Sequence, residues 1–186
     1  EAGFELELVV PRKDSLNERA IDDFYGLRRK ISVTRLPVLN FLPKTRFGFN
    51  LCALSFALAY FFYLRKTERK SIIYTIDFDQ FSFFPMPFLK KPYFFETHAT
   101  KRKNFLYNFF LKRASGIIAI NNWIKKDLIA KFGLAEDRLM VFPNGIDLAM
   151  FRSDLGQNES RANLGLPQDR KIILYSGRFY QWKGLA

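Results

Sequence analysis

The chain is predicted to be an α/β protein built on a doubly wound parallel sheet. Short runs rich in β-branched and aromatic residues recur along its 186 positions. Helical segments lie between these runs, and the connections are short, as they are in parallel crossover units. Ligands of such sheets bind beyond the carboxyl ends of the strands, so the residues directly after each strand are the ones to inspect.

The composition suits a chain that buries a core, with 48% apolar and 26% charged residues. Thirty Lys and Arg against eighteen Asp and Glu give a net charge of +12, which favours anionic partners such as phosphorylated substrates, acidic lipid or nucleic acid. The single cysteine, Cys52, cannot form an internal disulfide and fits a reducing cytoplasm. One Cys and one His exclude a metal site built from those residue types. The 22 phenylalanines are expected mostly in the core; the competing reading places aromatics among basic residues at a membrane interface. No charged-then-apolar leader is visible, so no signal peptide is expected.

Phe4–Val10 alternates apolar and polar residues as a strand does, and Pro11 ends it. Ser15 caps a predicted helix running to about Tyr25, with Gly26 at its end. Ile31–Leu36 alternates again, and Pro37–Thr45 is a loop. Phe47–Leu64 is the most apolar stretch, long enough to approach a membrane span. It is read here as a buried helix packed on the sheet, with contact to a membrane as the other reading.

Ser71–Ile76 is a continuous apolar run, the pattern of a strand covered on both faces. Pro92–Thr97 and Gly116–Ile120 are further strands. A helix then follows, capped by Asn121 or Asn122, with Ile124, Leu128, Ile129 and Phe132 on one face and Gly133 as its left-handed stop. Arg138–Phe142 is a strand closed by the turn Pro143-Asn144-Gly145. Ser153–Arg170 is a connector with a short helix, broken at Gly165 and Pro167, and Lys171–Ser176 is the next strand. The chain opens in mid-strand and stops after a loop, so it is expected to be truncated at both ends.

Three places carry candidate chemistry. After the strand ending at Ser176 comes Gly177-Arg178-Phe179-Tyr180-Gln181-Trp182-Lys183-Gly184. Gly177 permits a sharp turn, and Arg178 and Lys183 put two cations on one loop near a helix start, as a diphosphate site requires; a solvated basic loop is the plainer reading. His98, the only histidine, follows a strand with Glu96 two residues before it, so its imidazole either orients a sugar-like hydroxyl and manages its proton or merely satisfies the turn. Asn144 and Gly145 form a turn signal that steers the chain onward, with a cleft or hinge role as the alternative. Asp77 and Asp79 also follow a strand, with no role assigned. Lys101-Arg102-Lys103 and Lys112-Arg113 flank Phe105, Leu106, Phe109 and Phe110 as a basic amphipathic helix, half-buried or touching acidic lipid.

From Ala114 onward these blocks resemble the family 4 retaining glycosyltransferases, which have two facing Rossmann-like domains, the GT-B architecture. Ala114–Ile120, Val141–Asp147, Leu164–Pro167 and Gly177–Gly184 come in the family's order, and Tyr74–Asp77 and Phe95–His98 extend the resemblance upstream. It implies an N-terminal acceptor-side domain over 1–152, a connector over 153–170, and the start of a donor-binding domain over 171–186. It implies that Arg178 and Lys183, with Gly177, bind the diphosphate of a nucleotide-sugar donor and stabilise charge on the leaving group, with no metal or other cofactor, and that His98 touches the transferred sugar or acceptor.

The family's first strand with its glycine-rich loop and its Glu-x7-Glu motif are not found in the 186 residues. The expected function is therefore retaining transfer of a sugar to a glycan or lipid-linked acceptor by the whole protein, with this fragment inactive alone. The expected setting is cytoplasmic, with peripheral contact to acidic membrane at its inner face and no nucleic acid. The rival readings are a sugar-nucleotide epimerase of the same architecture and a non-catalytic basic module binding membrane or nucleic acid.

Overall fold

The computed structural model describes residues 4–12, 31–40, 45–67, 70–77, 79–146, 148 and 154–177. The predicted helix from Ser15 and the Arg178–Gly184 part of the basic loop lie outside these residues. Residues 1–144 and 145–186 form two compact units.

Among its described residues the first unit holds six strands. β1 (Glu7–Pro11) and β2 (Ser32–Leu36) pair in parallel as one sheet; β3 (Ile73–Ile76), β4 (Tyr93–Thr97), β5 (Gly116–Ala119) and β6 (Leu139–Val141) form a second, all-parallel sheet in that order. Between them run α1 (Arg46–Lys66), the single-turn α2 (Gln80–Phe83), α3 (Phe105–Arg113) and α4 (Asn122–Phe132).

Local chemistry sets most boundaries. Thr45, Asp79, Asn104 and Asn121 each accept a hydrogen bond from an amide in the first turn of α1, α2, α3 and α4. Gly133 closes α4 at φ +60°, the left-handed stop that its position predicts. β1 starts at Glu7 rather than Phe4, and Arg138 belongs to a 3-10 turn (Glu136–Arg138) ahead of a β6 shorter than expected.

Alternation along the four-stranded sheet sorts its two faces. Thr75, Tyr93, Phe95, Thr97, Ile117, Ala119 and Leu139 are buried, whereas Tyr74, Ile76 and Met140 of the opposite face are exposed. The expectation that 71–76 is covered on both faces is thus corrected, because β3 ends its sheet and the described helices leave its second face open.

The core is aromatic. Phe110 stacks on Phe83 at 4.1 Å and on Tyr93 at 5.0 Å and meets Phe95 edge-on, while the Tyr93 hydroxyl donates to the Phe110 carbonyl at 2.6 Å. The phenylalanines are divided between inside and outside, with Phe61, Phe81, Phe84, Phe94 and Phe109 half-buried. Five are buried (56, 83, 95, 110 and 132) and seven are exposed (4, 47, 49, 62, 88, 105 and 142) among the described residues. The excess has a simple cause: the apolar runs are apolar all round, and packing reaches one side of them.

α1 shows this most clearly. Ala53, Phe56, Ala57 and Tyr60 are buried, but Phe47, Leu54, Leu58 and Phe62 are exposed, so the helix expected to be buried against the sheet is half-buried. Polar ties help to fix it. Glu7 of β1 accepts from the hydroxyls of Thr34 on β2 and Tyr63 on α1, which hold its carboxyl below the ordinary range. The buried Lys91 ammonium donates to the Thr67 carbonyl and to the Thr67 and Ser71 hydroxyls at 2.8–3.1 Å, joining the end of α1 to the approach to β4.

The second unit contains α5 (Gln157–Asn163), followed by Gly165 at φ +65°. Lys171–Ser176 forms no ladder: Ile173 and Leu174 are exposed, and no described strand lies beside them. A strand needs a neighbour to bond to, so the apolar pattern alone does not make one.

Candidate active site

β3 and β4 are paired with Ile76 opposite Glu96, and their carboxyl ends therefore emerge together. Asp77, the first residue beyond β3, takes φ +44°, a left-handed backbone that Asp tolerates better than most side chains. Its amide donates to the Glu96 carbonyl at 3.0 Å, extending the ladder by one bond.

The Asp77 carboxylate then gathers the start of the next loop. Lys101 Nζ donates to Oδ1 at 2.7 Å, and the His98 amide lies 3.1 Å from both oxygens. The Thr97 hydroxyl shares its proton between the Ala99 carbonyl at 2.7 Å and Asp77 Oδ1 at 3.1 Å. Burial alone would raise the Asp77 pKa, but the Lys101 bond, the His98 amide, the Lys101 charge and the Thr97 hydroxyl together lower it. Lys101 is 8% exposed, so its charge is directed inward and neutralised rather than offered to a ligand.

Above this staple sits the imidazole. His98 Nε2 lies 2.6 Å from Glu96 Oε1, and the Tyr74 hydroxyl donates to Glu96 Oε2. An ionised carboxylate only accepts, so the neutral ring carries its proton on Nε2 and presents Nδ1 as an acceptor. The His98 side chain is 35% exposed and that of Glu96 17%, leaving the imidazole open to a ligand while its orienting carboxylate is shielded. Such a ring can accept a hydrogen bond from a sugar hydroxyl and take its proton.

His98 thus sits in a built environment of Tyr74, Asp77, Glu96, Thr97 and Lys101. Sequence reasoning left Asp77 without a role and placed Lys101 in a basic run. Asp79 caps α2, accepting from the Phe81 amide at 2.8 Å and the Ser82 hydroxyl at 2.6 Å. Of the basic cluster, Arg102, Lys103 and Lys112 are exposed, and Arg113 lies 3.9 Å over the Phe109 ring.

Asn144 and Gly145 are exposed at the division between the units, and Gly145 is not among the glycines with a left-handed backbone, so this segment is not a turn that needs glycine. Gly177, in the second unit, takes φ +147°, a conformation that disfavours other residues; Arg178 and Lys183 lie outside the described residues.

A groove of about 550 Å³ lies apart from this chemistry, against α3 and the end of α4, with Lys103, Asn108, Lys112 and Lys131 among its walls. It is open and cationic and lacks a shielded general base. The His98 edge, with its oriented imidazole, is the better candidate. Among the described residues, no cluster of three or more His, Cys, Asp and Glu is placed to hold a metal ion.

Comparison with known proteins bears on the fold and the family. A D-inositol 3-phosphate glycosyltransferase of Kineococcus radiotolerans is 33% identical over 73 residues, which is 39% of this chain and 17% of that protein. D-inositol 3-phosphate glycosyltransferase 1 of Catenulispora acidiphila is 40% identical over 57 residues, or 31% and 13% of the two chains. The matched stretch is therefore less than a fifth of each of these relatives. A glycosyltransferase from Rickettsia africae superposes with a TM-score of 0.58 at 15% identity, covering 97% of this chain and 55% of that one, which shows the Rossmann-like fold of GT-B type. The model of Glycosyltransferase Family 4 matches residues 1–150, most of the chain, and the chain belongs to that family.

Proposed function

We propose that the protein to which this chain belongs transfers a glycosyl group from a nucleotide-sugar donor to a glycan or lipid-linked acceptor, with retention at the anomeric carbon. The observation that carries this reading is the Glu96–His98 pair at 2.6 Å on the carboxyl edge of β4, within a family match that spans it. His98 Nδ1 accepts a hydrogen bond from a hydroxyl of the transferred sugar or of the acceptor and so fixes the angle at which the two meet. Arg178 and Lys183 supply the cationic partner of the donor diphosphate and stabilise the charge that builds on it as the glycosidic bond breaks, the work a divalent metal does elsewhere. The proposed setting of the reaction is the cytoplasmic side, peripheral to a membrane surface.

The test is made on the full-length protein, with a panel of nucleotide sugars and acceptors that includes D-inositol 3-phosphate, the acceptor in the relatives' names. Arg178→Ala with Lys183→Ala is expected to lower kcat/KM by at least about a hundredfold, since each removes a charge-assisted contact of about 1.5–3 kcal/mol. Full activity in that double variant refutes the donor-site assignment. Donor turnover without any acceptor would point instead to epimerisation or hydrolysis.

A further inference from the structure

We infer that the outer face of α1 is a docking surface for an acidic lipid bilayer, on which the helix lies flat. Phe47, Leu54, Leu58 and Phe62 recur at spacings of seven, four and four and so form one stripe. They are 69%, 38%, 46% and 60% exposed. At 1.5 Å per residue the stripe is about 22 Å long, an uninterrupted apolar strip of a kind that soluble surfaces rarely leave open. The helix is also long and apolar enough to cross a membrane by length and composition.

Its packing excludes spanning. Phe56, Ala57 and Tyr60, on the opposite side, belong to the same core as Phe83 and Met86. Spanning would strip that side out of the core, whereas lying in the interface keeps it and buries only the stripe.

Charge selects the occupant. α1 contains no acidic residue from Arg46 to Lys66, and its last turn carries Arg65 and Lys66. Arg65 falls on the line of the stripe, and its guanidinium lies 5.6 Å from the Phe61 ring, the arrangement of a side chain able to reach from apolar surface to a headgroup. A second copy of this chain would bring together two bodies of +12 each. An anionic leaflet meets both the stripe and the charge.

This inference deepens the membrane placement proposed above and is independent of the transfer reaction, because vesicle binding needs no turnover. The full-length protein is sedimented with vesicles of phosphatidylcholine containing phosphatidylglycerol, and with vesicles of phosphatidylcholine alone. Binding is expected to the anionic vesicles and to be weaker on the neutral ones. Leu58→Glu with Phe62→Glu, both at solvent-facing positions, is expected to weaken binding at least about tenfold. Arg65→Glu with Lys66→Glu should abolish the preference for anionic lipid.

Failure of the unaltered chain to bind anionic vesicles overturns the inference, as does undiminished binding by the Leu58/Phe62 variant. A dimer in solution that the same variant disperses overturns it in favour of a second copy. Loss of vesicle binding with transfer to a soluble acceptor retained would separate this surface from the active-site reading.

Discussion

Replacing Lys101 by methionine keeps the aliphatic stem and removes the cation that Asp77 depends on. Breaking a fully buried ion pair costs about 3–5 kcal/mol, and one charge-assisted hydrogen bond is worth about 1.5–3 kcal/mol. Two features place this pair toward the lower end. The Asp77 side chain is 32% exposed against 9% for Lys101, so water re-solvates part of the orphaned carboxylate. Asp77 also keeps the His98 amide and a share of the Thr97 hydroxyl. A loss of about 2 kcal/mol follows, or about 4–8 °C in Tm for a unit of this size.

The assay is thermal and urea unfolding of Lys101→Met beside Lys103→Met, whose lysine is exposed and should shift stability by no more than about 0.5 kcal/mol. The pH dependence sharpens the test. Asp77 has a folded pKa below its unfolded value, so its stabilisation is complete above the unfolded value of about 3.9 and is lost as pH falls through the folded one. The gap between the natural chain and Lys101→Met should be full at pH 7 and narrow in acid, as the Asp77 carboxyl of the variant, raised by burial without its cation, takes up a proton ahead of the natural one. A Lys101→Met no less stable than Lys103→Met, or a gap already closing near neutrality, refutes the staple.

His98 is the only histidine, so its ring is observed without overlap by nitrogen NMR. In the neutral ring the Nε2–H form should dominate, and Glu96→Gln should erode that preference while leaving the fold intact. Asn121→Ala removes the side chain that accepts from the Ile124 amide and should cost about 1 kcal/mol in urea unfolding. Gly133→Ala forces a Cβ onto a left-handed residue at φ +60°, with an expected loss of about 1 kcal/mol. Gly116→Val is expected to cost about 1–3 kcal/mol, because a Cβ there would already stand 2.9 Å from the Phe94 ring.

What could be read from the sequence is what short-range physics decides. α4 was legible at both ends because its start rests on one Asn side chain and its stop on one glycine. The Glu96-x-His98 pairing was legible too, since a strand turns residues two apart to the same side. The Asp77–Lys101 contact was not: its partners are 24 residues apart, and Lys101 sits in a basic run that looks solvated throughout. Two apolar runs misled for related reasons. Lys171–Ser176 has a strand's composition, yet a strand exists only beside a neighbour. α1 is apolar all round, which suggests full burial, and only its packing shows which half is covered.

The two halves of the His98 site differ in how they fail. Tyr74 and Glu96 act on the imidazole itself, choosing which nitrogen faces a ligand, and a change there alters chemistry before stability. Asp77 and Lys101 act on the backbone beneath it, holding the His98 amide and the left-handed corner that ends β3, and a change there alters stability first. The single histidine lets these be told apart in one sample: Glu96→Gln should move the ring's nitrogen signals with little change in Tm, whereas Lys101→Met should lower Tm with the Nε2–H form retained at temperatures where the chain is folded. If both variants moved both signals alike, Glu96 and Asp77 would belong to one cooperative unit, and the division into an orienting carboxylate and a supporting one would fail.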